Sequence, residues 1–145
     1  MNFKDSLIEN DSIVLDVEVN DWKEAIQEAV NPLISAEAVT QQYVEEIIKS
    51  TNELGPYYVL LPNFAMPHAR PGDYVKKDAF SFITLKKPVY FSESQPVKVI
   101  VCLAAKSSEN HLEVALPQIA DVFSDESIFE KIDQAKTKED ILELL

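Results

Sequence analysis

The chain holds two imidazoles in 145 residues, and their surroundings differ. His68 lies in Pro62-Asn63-Phe64-Ala65-Met66-Pro67-His68-Ala69-Arg70-Pro71, set between prolines and beside an arginine. Each proline fixes its own φ and pushes the preceding residue towards an extended conformation, so Met66 and Arg70 are expected to be non-helical and the loop to have few conformers. Such a loop can hold an imidazole out towards a partner and loses little entropy on docking. From the residues alone, His68 reads either as a functional group or as a surface histidine that titrates near neutrality. His111 follows Ser107-Ser108-Glu109-Asn110 and reads first as a helix first-turn residue capped by Asn110 or Ser108.

Other chemistries lack their residues. With two glycines, Gly55 and Gly72, neither a Walker loop nor a dinucleotide fingerprint can be written, and nucleotide binding is not expected. One cysteine and two distant histidines do not give metal-ligand spacing, and no Gly-x-Ser-x-Gly elbow or Cys/His hydrolase signature is present, so no metal or cofactor is expected. A formal net charge of −12 argues against nucleic acid as a partner, since phosphate backbones are bound through clustered Lys and Arg. The acidic residues spread over the helix faces and read as a soluble, mutually repelling surface. Cys102 alone excludes an intrachain disulfide, and no charged-then-apolar leader follows Met1, so a cytoplasmic location is expected. The longest apolar runs are too short to cross a bilayer.

The elements that must position the histidines follow from periodicity. Ile13, Leu15, Val17 and Val19 alternate with Asp16 and Glu18 as in a half-buried strand. Trp22 to Ile34 carries a helical apolar face with Asp21 as cap, and a second helix is drawn from Val39, Tyr43, Val44, Ile47 and Ile48, stopped by a left-handed cap at Gly55-Pro56. Tyr57 to Leu61 is a short strand leading into the histidine loop. Ala79 to Leu85 and Val97 to Ala104 are two more, the last an almost unbroken apolar run suited to a central strand. Cys102 lies inside it and reads as a buried structural thiol. Leu112 to Phe123 marks a third helix, in which Pro117 is expected to cause a kink, the alternative being a separate first turn around His111 before a helix starting near Pro117. Shorter helices cover Ser127 to Ala135 and Lys138 to Leu145. The expected architecture is α/β, α+β-like: one domain over residues 1–145 with a single mixed sheet of about five strands and helices on both faces.

Met66-Pro67-His68-Ala69-Arg70-Pro71 together with Asn110-His111-Leu112-Glu113-Val114 resembles the active-site pair of the fructose/mannitol-type (type 2) enzyme IIA family of the bacterial sugar phosphotransferase system. The similarity extends over essentially the whole chain. Asp5-Ser6-Leu7-Ile8-Glu9-Asn10-Asp11-Ser12-Ile13, Gly55-Pro56-Tyr57-Tyr58-Val59 and Thr84-Leu85-Lys86-Lys87-Pro88 most resemble the L-ascorbate-specific branch. The resemblance implies that His68 accepts a phosphoryl group from the phosphorylated histidine phosphocarrier protein and passes it to a cysteine of a cognate IIB component, the membrane IIC component being met only indirectly. It implies that His111 hydrogen-bonds the phosphate, with Arg70, Asn110 and Ser108 as weaker phosphate-binding or partner-facing candidates. Mannitol-type members carry an arginine after the second helix, and Lys49-Ser50-Thr51-Asn52-Glu53 has none, which leaves Arg70 as a candidate for that charge. A competing reading is a stand-alone regulatory IIA-like protein whose phosphorylation state signals sugar supply.

Overall fold

An almost unbroken apolar run has to be covered on both faces, and residues 97–104, interrupted by Lys98 near their start, meet that requirement in the middle of a sheet. The computed structural model describes residues 2–145, apart from the side chains of residues 110–112. Among the described residues the elements are α1 (Phe3–Glu9), β1 (Ile13–Val17), α2 (Trp22–Ser35), α3 (Gln41–Leu54), β2 (Val59–Leu61), β3 (Asn63–Ala65), β4 (Ala79–Tyr90), β5 (Pro96–Ala104), a π-helical turn (Asn110–Ala115), α4 (Leu116–Phe123), α5 (Ser127–Gln134) and α6 (Lys138–Leu144). The strands form one open mixed sheet in the order β1-β4-β5-β3-β2. β1 runs parallel to β4 and β3 parallel to β5, whereas the β4–β5 and β2–β3 pairs are antiparallel. This is the expected α/β sheet.

Successive strand side chains point to opposite faces, so Ile100 and Cys102 of β5 enter one core layer and Val101 and Leu103 the other. The first layer contains Ala25, Ile26 and Leu33 of α2 and Tyr43, Val44 and Ile47 of α3. The second takes Leu7 of α1, Phe123 of α4, Ile128 of α5 and Ile141 of α6. As expected, Asp21 caps α2, its carboxylate accepting the Glu24 amide at 2.9 Å.

The departures from the sequence reading have local causes. Asp16 has φ +54, and the β1–β4 register passes from Val14 opposite Ile83 to Val17 opposite Leu85, three residues against two. That bulge reverses the alternation. Ile13 and Leu15 face the second layer, while Val17 and Val19 pack on the first, so the four residues do not share a face. Val39 lies ahead of α3 and makes an isolated antiparallel bridge with Val75. Gly55 ends α3 with φ +78 as expected, but its ψ of 176 is extended rather than left-handed helical.

Two elements escaped the periodicity argument, because short segments carry too few repeats to show a pattern. α1 is one, its Phe3 amide donating to Gln118 Oε1 of α4 at 2.7 Å. β3 is the other: Asn63, at φ +66, turns the chain back on β2, so the first part of the proline-bounded segment is strand rather than loop. Helical backbone runs without a break through the third helix, π-helical over Asn110–Ala115 and α-helical from Leu116, with Ala115 itself helical at φ −77 and ψ −51. Pro117 stands just after this change of form, where the wider π turn relaxes the i→i−4 ladder that a proline interrupts. The backbone here is neither a uniform α-helix nor a separate first turn followed by a capped helix start.

Candidate functional site

β3 and β5 run side by side in the same direction, so the loop after Ala65 and the segment after Ala104 leave the sheet at one edge. The Leu103 amide donates to the Pro67 carbonyl at 3.1 Å and ties the two exits together. His68 therefore stands at the edge from which the chain runs on towards His111. The His111 and Asn110 side chains lie outside the described residues. Ser108 and Arg70 are exposed.

The His68 loop is anchored on both sides of the ring it presents. Met66 is fully buried, Ala69 is nearly so, and His68 between them is half-buried. His68 Nδ1 lies 2.8 Å from the Met66 carbonyl oxygen. A carbonyl can only accept, so Nδ1 carries the proton and the lone pair of the neutral ring resides on Nε2.

Three tyrosine hydroxyls hold three consecutive residues of this loop. Tyr57 donates to the His68 carbonyl at 2.8 Å, and Tyr74 donates to the Arg70 carbonyl at 2.6 Å. The Ala69 amide donates to the Tyr43 hydroxyl at 3.1 Å, and that hydroxyl in turn donates to the Leu103 carbonyl. None of these tyrosines was selected from the sequence. A signal was present in the placement of the two glycines, each two positions ahead of one of them. Gly72 admits the Tyr74 ring, since a Cβ there would stand 2.8 Å from it.

Burial sets the electrostatics. Desolvation holds the Tyr43 phenol well above its ordinary range. It also raises Tyr57, against a hydrogen bond from Ser50 and the charge of Arg70, and raises Tyr74 with help from Glu46 and again against Arg70. The charge of Arg70 thus bears on both Tyr57 and Tyr74, the phenols that donate to the His68 and Arg70 carbonyls. Cys102 is fully buried, and desolvation pushes its thiol up, as the reading of a structural thiol requires. Among the described residues no group of three or more His, Cys, Asp or Glu side chains is placed to hold a metal, and no helix is long and apolar enough to cross a membrane. A cleft of about 320 Å³, lined by Asp16, Asn63, Thr84, Lys98 and Phe129 among others, lies at the opposite ends of the strands, away from His68.

An open mixed sheet with a histidine loop at one edge defines a class, and the comparisons with known proteins agree on which. The family model of the phosphoenolpyruvate-dependent sugar phosphotransferase system, EIIA 2, matches residues 6–145, and this chain belongs to that family. The ascorbate-specific PTS system EIIA component of Salmonella typhimurium is 40% identical over 147 aligned positions, covering 100% of this chain and 96% of the relative. A chain assigned as a PTS IIA (PtxA) from Streptococcus mutans superposes with a TM-score of 0.95 at 45% identity, over 99% of this chain and 92% of that one. The mannitol enzyme IIA of Escherichia coli, solved in complex with phosphorylated mannitol enzyme IIB, superposes with a TM-score of 0.80 at 26% identity, over 92% of each chain. The protein is accordingly a phosphotransferase-system component of sugar transport.

Proposed function

We propose that this chain, working as one cytoplasmic domain over residues 1–145, carries a phosphoryl group on His68 between the phosphorylated histidine phosphocarrier protein and a cysteine of a IIB component. The sugar is L-ascorbate or a related carbohydrate, a reading supported by the relatives named for ascorbate. The IIB partner is supported by the mannitol IIA–IIB complex formed by a chain of the same fold. The membrane IIC component is reached only through IIB, and no cofactor takes part.

The observation that carries the proposal is the Nδ1–Met66 hydrogen bond. It leaves the Nε2 lone pair as the nucleophile. Nε2 attacks phosphorus, the donor's P–N bond breaks, and its electron pair returns to the donor imidazole. Nδ1 keeps its proton throughout, so His68 becomes a phosphoimidazolium whose ring charge is met by the Met66 carbonyl. In the second step a IIB thiolate attacks phosphorus, and the N–P electron pair returns to Nε2 and restores the neutral ring. No proton has to move in either step, which leaves positioning and charge stabilisation as the protein's task. In this scheme His111 hydrogen-bonds a phosphoryl oxygen, and Arg70, Asn110 and Ser108 supply further phosphate-binding or partner-facing groups.

The test is incubation with phosphoenolpyruvate, enzyme I and the phosphocarrier protein, followed by intact-mass spectrometry. One acid-labile phosphate is expected on the wild type and none on His68→Ala. Undiminished labelling of the variant would refute the assignment.

A further inference from the structure

We propose that Tyr57 is a positioning residue for His68, holding the imidazole in the pose that phosphoryl transfer needs. This rests on the reading of His68 as the phosphoryl acceptor. The hydroxyl of Tyr57 donates to the backbone carbonyl of His68 at 2.8 Å, and its ring stands edge-to-face with the imidazole, centroids 5.4 Å apart at 82°. One side chain thus grips both the backbone and the ring of the same residue.

Tyr57 is itself held from the protein side. Gly55 ends α3 with a positive φ, and the Tyr57 amide donates to the Gly55 carbonyl at 2.8 Å. Its ring packs at 72° against Tyr58, centroids 5.1 Å apart. Tyr58 is fully buried, and its hydroxyl lies 2.8 Å from Thr51 Oγ1 of α3. Thr51 already donates to the Ile47 carbonyl, so in that pair Tyr58 is the donor. The support runs from α3 through Tyr58 and Tyr57 to His68 and adds a ring contact to the hydrogen bond that the Met66 carbonyl accepts from Nδ1.

Tyr57 is also 42% exposed, with Leu60 and Leu61 exposed close by in the chain, so the competing role is a contact for a docked partner. Kinetics separates the two. A positioning residue acts on the bound complex and lowers kcat with KM unchanged, whereas a docking contact raises KM with kcat unchanged. Rates of phosphoryl transfer from the phosphorylated histidine phosphocarrier protein should be measured for Tyr57→Phe, which keeps the ring, and Tyr57→Leu, which does not.

The expected result is a drop in kcat of about ten- to a hundredfold for Tyr57→Leu at constant KM, and partial rescue in Tyr57→Phe. The ¹⁵N spectrum of His68 should show the Nδ1–H tautomer in the wild type and a mixture of tautomers in Tyr57→Leu. A raised KM with unchanged kcat and tautomer, or wild-type kinetics in Tyr57→Leu, would overturn the proposal. Labelling that survives His68→Ala would defeat the carrier reading instead, and the ¹⁵N spectrum would still decide whether Tyr57 orients the ring.

Discussion

Tyr43 accepts the amide of Ala69 at 3.1 Å from a side chain that is fully buried in the core, which makes a helix of one layer the direct support of the histidine loop. The same hydroxyl donates to the carbonyl at Leu103. Loop, helix and central strand therefore meet at a single oxygen.

Removing that oxygen leaves a buried amide and a buried carbonyl without this partner. Tyr43→Phe is expected to cost about 2 kcal/mol, because an unsatisfied buried polar group costs roughly 1–3 kcal/mol while the ring's packing is retained. Urea unfolding at neutral pH measures it. A midpoint equal to that of the wild type would mean that the loop does not depend on this bond.

Alkaline pH should destabilise the fold through the same region. Cys102, Tyr43 and Tyr58 are neutral acids that burial holds protonated above their ordinary values of 9.0 for the thiol and 10.0 for the phenols. Above those values the unfolded chain binds fewer protons than the folded one, so unfolding becomes easier as pH rises. The stability is fully present below about pH 9 and is lost above it, by up to about 1.4 kcal/mol per pH unit for each group. Unfolding midpoints at about pH 7, 9 and 10.5 would trace the decline, and native Cys102 should resist alkylation until the chain unfolds.

Gly55 isolates a backbone effect. Nothing lies within 4 Å of a Cβ added there, yet φ +78 with ψ 176 belongs to a region reached almost only by glycine. Gly55→Ala and Gly55→Asn should each lose about 1–3 kcal/mol, with no rescue by asparagine, since the conformation is not left-handed helical. A clear advantage of asparagine over alanine in thermal unfolding would contradict this.

The proposed division of labour between the histidines gives a kinetic series. His111→Ala should still be phosphorylated on His68 but transfer about 10²–10³ more slowly, the loss expected of one preorganised donor, roughly 2.7–4 kcal/mol. His111→Gln should recover part of the rate through its amide. His68→Gln should be inert. Transfer to the IIB cysteine is the readout, and a wild-type rate in His111→Ala would remove that residue from the mechanism.

The elements with several turns or repeats were legible in the chain: the apolar faces of α2 and α3, the Asp21 cap, the central β5, and the positive φ at Gly55. Local periodicity and capping chemistry specify those without knowledge of neighbours. The loop motif around His68 also stood out, because prolines constrain φ wherever they occur.

What the linear pattern did not contain was decided by partners far apart in the chain. The bulge at Asp16 exists in the pairing of β1 with β4, where the Asp16 amide meets Thr84 Oγ1 at 2.9 Å, and nothing in the alternation of Ile13 to Val19 announces it. β3 is three residues long and is held by β5, some 34 positions later, through pairs such as Asn63 with Val97. The tyrosines are the clearest case. Tyr43 and Tyr57 read in sequence as aromatic residues of a helix and a strand start, and they and Tyr74 became anchors of the His68 loop only when the sheet edge brought their hydroxyls to its backbone. A hydroxyl donates to or accepts from whatever tertiary packing sets within about 3 Å, and residue type alone cannot name that partner.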